Sequence, residues 1–322
     1  MRERLSVIIT AHNRKKYLPY AVKSILLSID SVEDLDIIVV KNFSDLELDT
    51  WLKSLNIKIF NTDQESLAMK QAIGINNASG DLISFLEDDD MFALNKISIL
   101  RNLLQYQDLD FFHHLLMPIK DEIYYSQVVS FKNSDLELFR SNDLLNRKIL
   151  RYIIKKYHPE MYNSATTISK ELANKCVDGL KSVDINTERF WFLCAIEKGR
   201  LLAFSKSTLT LYRIHNESFS QHSSKLFNIK LLERYIHSYD FMLEYFQSEI
   251  VRQIIEEQYK LHIAHYLIYD KDNRKKKLRL VASLIGNSLK FSTIYREYSL
   301  LSALALLSSL VSNSLAKKIL YR

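Results

Sequence analysis

Short apolar runs typical of strands alternate with helix-like stretches through the first ninety residues of the chain. Each run is rich in β-branched residues, as buried parallel strands are, and polar loops separate it from stretches with apolar residues at helical spacing. This alternation predicts an α/β fold in which a mostly parallel, Rossmann-like sheet is flanked by helices. The four predicted strands are Leu5–Ala11, Asp36–Val40, Ile57–Phe60 and Leu82–Leu86.

Three polar segments follow the carboxyl ends of predicted strands: Thr10–Arg14, Lys41–Asp45 and Glu87–Asp90. Open parallel sheets bind their ligands beyond these ends, so we expect all three segments to face one cleft. Glu87–Asp90 consists of four consecutive acids, whose charges repel one another unless a cation neutralises them. Carboxylate oxygens are the ligands that Mg²⁺ and Mn²⁺ prefer. A solvated acidic loop is the alternative, and the position at a strand end favours the metal.

Three segments of the sequence carry motifs that occur in a characteristic order. The first is Ser6–Arg14, followed by Tyr17-Leu18, the second is Ala78–Asp90, and the third is Tyr212–Ser218. The first resembles the opening of the GT-A glycosyltransferases of the large inverting family 2, the second is similar to their approach to the DXD motif, and the third resembles their tyrosine-arginine-x-histidine segment. Their order along the chain is more specific than any one of the motifs alone.

The resemblance implies a metal-dependent enzyme of the hexosyltransferase class, with Mn²⁺ or Mg²⁺ as cofactor. Such an enzyme moves a sugar from a nucleotide-diphosphate donor to a hydroxyl group of an acceptor and inverts the anomeric centre. The acceptor would be a glycan, a glycolipid or a lipid-linked oligosaccharide. A sugar-1-phosphate nucleotidyltransferase would need a glycine-rich phosphate loop after the first strand, and Thr10–Lys16 contains no glycine.

The resemblance also assigns roles within the acidic segment. Asp89 would ligate the metal, Asp90 would support it, and His215 would reach the metal or its diphosphate. Glu87 and Asp88 would lie on the nucleotide-sugar side, with Glu87 near the donor ribose or a metal-bound water. For His215, a surface histidine in a loop is the alternative.

The donor pocket implied by the resemblance departs from the family pattern at two places. Lys41-Asn42 stand where paired aspartates are usual, and Gln71 stands where a basic residue is common, so the nucleotide base stays open. Lys41 would instead approach a phosphate. These departures support a second hypothesis, a non-catalytic nucleotide-sugar-binding or scaffold protein that retains the GT-A fold. The donor residues implied outside the acidic segment are Thr10, Ala11, Asn13, Arg14, Lys41, Asn42 and Gln71.

The acceptor hydroxyl must lose its proton, and the resemblance places the carboxylate that takes it at the start of a helix. Asp184 and Glu188 are the two candidates, in the stretch that leads to Trp191. We favour Asp184 because it lies just before a predicted helix cap at Asn186 or Thr187. Glu188 would lie in the first turn, where capping or ion pairing is the alternative role.

The second half of the chain changes character along its length. Predicted strands give way to an almost wholly helical sequence from Lys225 onward. We therefore expect a GT-A domain at residues 1–222 and a helical region at residues 223–322 that associates with a membrane or forms oligomers. The further predicted strands are Phe111–Met117, Tyr124–Phe131, 201–204 and 208–213.

The apolar stretch Ser299–Ala316 has helical spacing and lies beside Lys317 and Lys318. Basic residues next to an apolar helix face favour peripheral binding to anionic membranes. Packing on its own domain or on a second subunit, and a membrane span, are the alternatives. The apolar stripe consists of Leu300, Leu304, Leu307, Val311 and Leu315.

Composition excludes several other classes of protein. Lys and Arg number 44 against 38 acids, and the net charge of +6 is too small to indicate nucleic-acid binding. The basic cluster Lys271–Arg279 also lacks interleaved aromatic residues. Two cysteines exclude a disulfide scaffold and a four-cysteine zinc site. No signal peptide is visible, so we expect a cytoplasmic protein, or one at the inner face of the membrane.

Overall fold

The computed structural model describes most of the chain, and two predicted site segments are affected by its gaps. Arg14 and the end of the Tyr212–Ser218 segment, from residue 216, lie outside the described residues. The described ranges are 4–13, 15–29, 35–121, 123–215, 229–269, 274–289, 293–310 and 312–320.

The first four strands and the helices between them are confirmed, with bounds within two residues of the prediction for each strand. Each strand carries a local pattern of β-branched and apolar residues, and β1, β2 and β4 are buried almost throughout. The elements are β1 (Leu5–Ala11), α1 (Leu18–Leu26), β2 (Leu35–Lys41), α2 (Leu46–Ser54), β3 (Lys58–Asn61), α3 (Leu67–Asn77) and β4 (Leu82–Glu87).

Within the described residues, the strands that follow complete a mixed sheet of nine strands. The predicted strands at 201–204 and 208–213 form one continuous strand, β9. The elements are β5 (Met91–Phe92), α4 (Lys96–Leu103), β6 (Leu109–Lys120), β7 (Leu136–Arg140), α5 (Arg147–Tyr157), β8 (Thr166–Ser169), α6 (Lys170–Leu180), α7 (Thr187–Lys198) and β9 (Leu201–Ile214).

The predicted strand at Tyr124–Phe131 is wrong, because this segment has no regular secondary structure. The side chain of Asn95 occupies the backbone groups of Val129, accepting from its N–H at 3.1 Å and donating to its carbonyl at 2.7 Å. These bonds replace the ladder that a neighbouring strand would provide. Val129 and Phe131 still pack against the core, which explains their apolar pattern.

The sheet order is β3-β2-β1-β4-β8-β6-β9-β5, with β7 also paired to β9. Strands β3, β2, β1 and β4 are parallel, whereas β8 runs antiparallel to both β4 and β6. Strand β9 pairs in parallel with β6 and antiparallel with β5 and β7. The α/β class predicted from the sequence is confirmed, and the antiparallel strands join the second half of the sheet to the first.

Strand register brings the predicted polar segments together at one edge. Thr10 of β1 lies opposite Glu87 of β4, and Ala11 lies opposite Lys41 of β2. The backbone N–H of Asp88 donates to the carbonyl of Thr10 at 3.2 Å. The acidic segment therefore begins beside the loop that follows β1, as expected for the carboxyl edge of parallel strands.

A buried carboxylate secures the opposite edge of the sheet. Asp36 accepts from the Ser6 hydroxyl at 2.8 Å and from the Ser79 N–H at 2.7 Å, and Lys58 pairs with it at 2.7 Å. Gly80 follows, where a Cβ atom would lie 2.4 Å from the backbone nitrogen of Ser6. Only glycine allows the chain to pass this close before it enters β4.

By its internal contacts the chain divides into two compact units, Met1–Leu144 with Ile153–Ser218, and Leu145–Tyr152 with Phe219–Arg322. The C-terminal region is helical, as predicted. The apolar stretch Ser299–Ala316 is divided between two helices, with a break after Ser309. The described helices of the C-terminal region are α8 (Ile229–Tyr245), α9 (Glu249–Tyr269), α10 (Arg274–Leu289), α11 (Arg296–Ser309) and α12 (Asn313–Leu320).

Among the described residues, no helix combines the length and the apolar character needed to cross a membrane.

Candidate active site

Three carboxylates converge directly after β4. Glu87, Asp89 and Asp90 each offer an oxygen atom within 4.8 Å of the others, a spacing that would allow them to share one cation. Asp89 and Asp90 are buried, and Glu87 is half-buried. His215, at the end of β9, places its Nε2 atom 2.9 Å from Asp89 Oδ2.

Burial and mutual repulsion both act on the acids of this cluster. Burial raises the pKa of Glu87, and the charges of Asp89 and Asp90 raise it further. Burial also raises the pKa of Asp90 to about 8, with a contribution from Asp89. Buried carboxylates this close together repel one another unless bound protons or a cation reduce their charge. The donor set, carboxylate oxygens with one imidazole nitrogen, suits Mn²⁺ or Mg²⁺.

Arg213 of β9 fixes the backbone of the acidic loop. Its N–H donates to Asp90 Oδ1 at 3.1 Å, and its Nε donates to the Asp89 carbonyl at 2.9 Å. The guanidinium lies between two aromatic rings, 5.0 Å from the centroid of Tyr17 and 4.9 Å from that of Tyr124. The segment Tyr212–His215 therefore supplies both a clamp, Arg213, and a candidate ligand, His215.

A second support lies beneath the loop. The Glu87 N–H donates to Ser164 Oγ at 3.0 Å, while Lys96 donates to the Ser164 carbonyl at 2.8 Å and to Thr210 Oγ1 at 3.0 Å. Burial lowers the pKa of Lys96, and the nearby Asp90 charge opposes this shift. These contacts tie the end of β4 to β9 through the residues that precede β8.

Asn163 connects the acidic cluster to helix α7. Its Nδ2 donates to Glu87 Oε1 at 3.3 Å and to Glu188 Oε2 at 3.1 Å. Its Oδ1 accepts from Gln71 Nε2 and from Thr187 Oγ1, both at 2.9 Å. One buried amide thus holds two carboxylates, and no sequence motif marked it.

Gln71 lies inside the protein, not on the surface of a donor pocket. Its amide donates to Asn163, and its Oε1 accepts from Trp191 Nε1 at 3.1 Å. The side chain is fully buried. This placement argues against the direct nucleotide contact predicted for Gln71 and makes it a positioning residue for Asn163.

Hydrogen bonds through Asn163 connect Glu188, one of the two candidate bases, to the acidic cluster. Glu188 lies in the first turn of α7, and burial raises its pKa, an effect that hydrogen bonds from Asn163 and Thr187 oppose. Asp184 is half-buried in the loop that precedes α7. The geometry therefore favours Glu188, against the preference for Asp184 that the sequence suggested.

Two asparagines shape the loops on the donor side. Asn13 adopts a left-handed backbone with φ of 52°, a conformation that asparagine tolerates better than most residues. Its N–H donates to Asn42 Oδ1 at 2.8 Å, and Asn42 Nδ2 donates back to Asn13 Oδ1 at 3.0 Å. Thr10 and Ala11 are buried at the end of β1, where Ala11 offers only its backbone.

The Lys41 side chain points into the protein, away from the Asn13–Asn42 pair. Its side chain is fully buried, its Nζ lies 3.0 Å from Asp49 Oδ1, and the ammonium lies 4.9 Å from the centroid of the Phe43 ring. These contacts hold the loop after β2 and argue against the predicted phosphate contact. Another basic residue, Lys70 of α3, places its Nζ atom 2.9 Å from His12 Nδ1 in the loop that follows β1.

The sequence profile of glycosyl transferase family 2 matches residues 6–168, about half of the chain. An uncharacterised glycosyltransferase of Rickettsia conorii is 29% identical over 130 residues, which are 39% of this chain and 21% of the relative. A homologous Rickettsia felis protein is 28% identical over the same length. The chain thus matches about a fifth of these relatives.

Solved structures show the same architecture. Staphylococcus aureus TarS 1–349 in complex with UDP-GlcNAc superposes with a TM-score of 0.59 at 13% identity, covering 98% of this chain and 90% of TarS 1–349. GalNAc-T7 with UDP, GalNAc and Mn²⁺ gives a TM-score of 0.52 at 18% identity, covering 80% of this chain and 51% of that one. Together with the family profile, these likenesses identify the chain as a member of glycosyl transferase family 2 with the GT-A fold.

Proposed function

We propose that this chain is a metal-dependent, inverting glycosyltransferase that moves a hexose from a nucleotide-diphosphate donor to an acceptor hydroxyl. One observation carries the proposal: the Asn163 amide joins Glu87 of the acidic cluster to Glu188, so that a candidate metal site and a candidate base lie side by side. The acceptor we propose is a glycan, a glycolipid or a lipid-linked oligosaccharide. The TarS structure holds UDP-GlcNAc and the GalNAc-T7 structure holds UDP, which makes UDP sugars the first donors to test.

Asp89 and Asp90 are the proposed metal ligands, with His215 as a further ligand and Glu87 beside them. The fit rests on the convergence of three carboxylates within 4.8 Å and on the raised pKa of Glu87 and Asp90. A bound Mn²⁺ or Mg²⁺ supplies positive charge that stabilises the departing diphosphate. Arg213 contributes by holding the Asp89 backbone carbonyl and the Asp90 carboxylate in place before the donor arrives.

Glu188 is the proposed general base. Its carboxylate takes the proton of the acceptor hydroxyl as the acceptor oxygen attacks the anomeric carbon of the donor. The bond between that carbon and the phosphate oxygen breaks, and its electron pair leaves with the nucleoside diphosphate. A single displacement of this kind inverts the anomeric centre. The raised pKa of Glu188 suits this role, because a base is most effective when its pKa is near the working pH.

The proposed donor site lies along the loops after β1 and β2. The Asn13–Asn42 pair fixes these loops, and Asn42 offers groups that can hydrogen bond a base or a ribose. The proposed domain division remains residues 1–222 for transfer and 223–322 for association.

The proposal is tested by measuring nucleotide release from a panel of nucleotide sugars, namely the sugar conjugates of UDP, GDP, dTDP and CMP. With Mn²⁺ present, we expect slow hydrolysis of one nucleotide sugar in the absence of acceptor, and EDTA should abolish it. If a folded sample binds one of these compounds but hydrolyses none, the chain is a nucleotide-sugar-binding protein of the same fold. If it binds none of them, the scaffold alternative holds.

A further inference from the structure

Helix α11 has its apolar side on the outside. Its buried side consists mostly of small residues: Ser299, Ser302, Ala303, Ala305, Leu306 and Ser309. The exposed side carries Leu300, Leu301 and Leu304, each between 46% and 48% exposed. Amphipathic helices of soluble proteins normally bury their leucines and expose their serines. This helix therefore presents an apolar face that the rest of its own unit leaves uncovered.

Helix α10, which packs against α11, buries Val281 and Leu284 but also exposes a row of apolar residues. Leu278, Ala282, Ile285 and Leu289 occur at helical spacing, and all four are exposed, Leu289 by 70%. Single exposed leucines are common on protein surfaces, but a row on each of two neighbouring helices is not. Leu315 of α12 adds another leucine that is about half exposed.

The charge of this region indicates what covers the leucines. Residues 271–322 contain 11 Lys and Arg against two acids, Asp272 and Glu297. Among these basic residues, Arg279 of α10 and Lys318 of α12 have exposed side chains. Exposed leucines combined with a strong basic excess suit an anionic lipid surface. A second copy of the same face would instead bring like charges together.

We propose that helices α10, α11 and α12 form a peripheral membrane-binding surface that takes a bilayer containing anionic lipid. The exposed leucines insert among the upper acyl chains, and Arg279 and Lys318 contact the lipid headgroups. This surface is independent of the proposed transfer chemistry, so the two proposals can fail separately.

Flotation of the full chain with lipid vesicles tests the surface. We expect binding to vesicles that mix phosphatidylcholine with phosphatidylglycerol, little binding to phosphatidylcholine alone, and loss of binding at high salt. Absence of binding to the mixed vesicles, or equal binding to both kinds, would overturn the proposal.

Helices α11 and α10 are tested separately, each by a variant with two substitutions, and α11 is tested first. Leu300→Ser with Leu304→Ser should weaken binding to the mixed vesicles by at least about tenfold, because the leucines lose their apolar contact with the lipid. A matched control, Leu27→Ser with Leu46→Ser, changes two exposed leucines of the other unit and should bind like the original chain. Equal binding by all three proteins would contradict the assignment.

The second helix is tested by Ile285→Ser with Leu289→Ser, for which we expect a similar loss. Light scattering after size exclusion then decides between lipid and a second copy. If the original chain is a dimer that the leucine variants convert to monomers, the apolar face is a subunit interface, and the proposal is wrong. Circular dichroism of each variant should show unchanged helix content, since only exposed side chains are altered.

Discussion

At the scale of single residues, the site depends on one buried amide. Asn163 uses all its donors and both its acceptor directions on Gln71, Thr187, Glu87 and Glu188. Because each partner is itself buried or half-buried, no water molecule can easily replace a lost bond. The positions of the candidate base and of the first acid of the cluster are therefore set together.

Replacing Asn163 by Asp tests this role. The substitution removes the donors that serve two carboxylates and adds a third acid beside them, so we expect a loss of stability of about 1–3 kcal/mol. The new carboxyl would have a raised pKa in the folded state, so the loss should grow as pH rises. Urea unfolding at several pH values measures it. A cost that does not change with pH would indicate that Asn163 acts only through packing.

The choice of base is tested by two variants with the same loss of charge. Glu188→Gln should lower turnover by about 10²- to 10⁴-fold while nucleotide binding is retained. Asp184→Asn should change turnover by less than about threefold. Steady-state kinetics together with calorimetric titration of the nucleotide separate the two quantities. The opposite ranking would restore Asp184 as the base.

Residue roles were the hardest feature to predict from the sequence. Family motifs mark the acidic segment and His215, and the structure brings His215 and Asp89 into contact, while their roles stay predictions. Gln71 and Lys41 could not be placed, since their burial depends on Trp191 and Asp49, which lie elsewhere in the chain. Asn163 carries no motif and becomes visible only through its contacts.

At the scale of secondary-structure elements, the two edges of the parallel strands do different work. The carboxyl edge carries Thr10 and Glu87, while the amino edge is held by Asp36 with Ser6 and Ser79. Burial raises the pKa of Asp36, but hydrogen bonds from Lys58, Ser79 and Ser6 outweigh it and lower the pKa below its usual value.

The lowered pKa of Asp36 predicts a pH-dependent contribution to stability. Its carboxylate stabilises the fold above the unfolded pKa of about 3.9, and this contribution is lost as pH falls through the lower folded pKa. Asp36→Asn should cost about 1–3 kcal/mol near pH 7, and the difference from the original chain should shrink in acid. Asp63→Asn, at an exposed site, is the control. A constant difference down to the acid limit would exclude an ionic role.

The elements that the sequence predicted well are those with a local pattern. Strands β1, β2 and β4 could be predicted because each consists of consecutive β-branched and apolar residues. Tyr124–Phe131 has a similar pattern for another reason, since Val129 and Phe131 pack on the core while the Asn95 side chain bonds the backbone of Val129. The spacing of apolar residues indicates which side chains are buried. It does not distinguish a backbone that is hydrogen-bonded to a neighbouring strand from one that is hydrogen-bonded to a side chain.

At the scale of the whole molecule, basic charge is concentrated in the helical unit. The chain as a whole has a net charge of +6, yet residues 271–322 hold 11 basic residues against two acids. The sequence predicted the helical region and an apolar stripe within it. Which side of α11 is buried could not be predicted, because small residues and leucines alternate at similar spacing.

The acidic cluster predicts how the metal affects the stability of the whole chain. A carboxyl whose folded pKa is raised, such as Asp90 at about 8, binds its proton more tightly in the folded state. Stability without metal should therefore fall as pH rises from about 4 towards about 8. Mn²⁺ should raise Tm more at the upper end of this window, as thermal unfolding with and without Mn²⁺ would show. An equal rise at both ends would contradict the assignment.

The most direct test of the central claim is calorimetric titration of UDP into the purified chain with and without Mn²⁺. The account predicts binding that requires Mn²⁺ and that weakens by at least about tenfold in Asp89→Asn. Asp178→Asn removes the same charge from an exposed part of α6 and should bind as tightly as the original chain. UDP binding that is equally tight in EDTA, or in Asp89→Asn, would contradict a metal-dependent nucleotide site at this cluster.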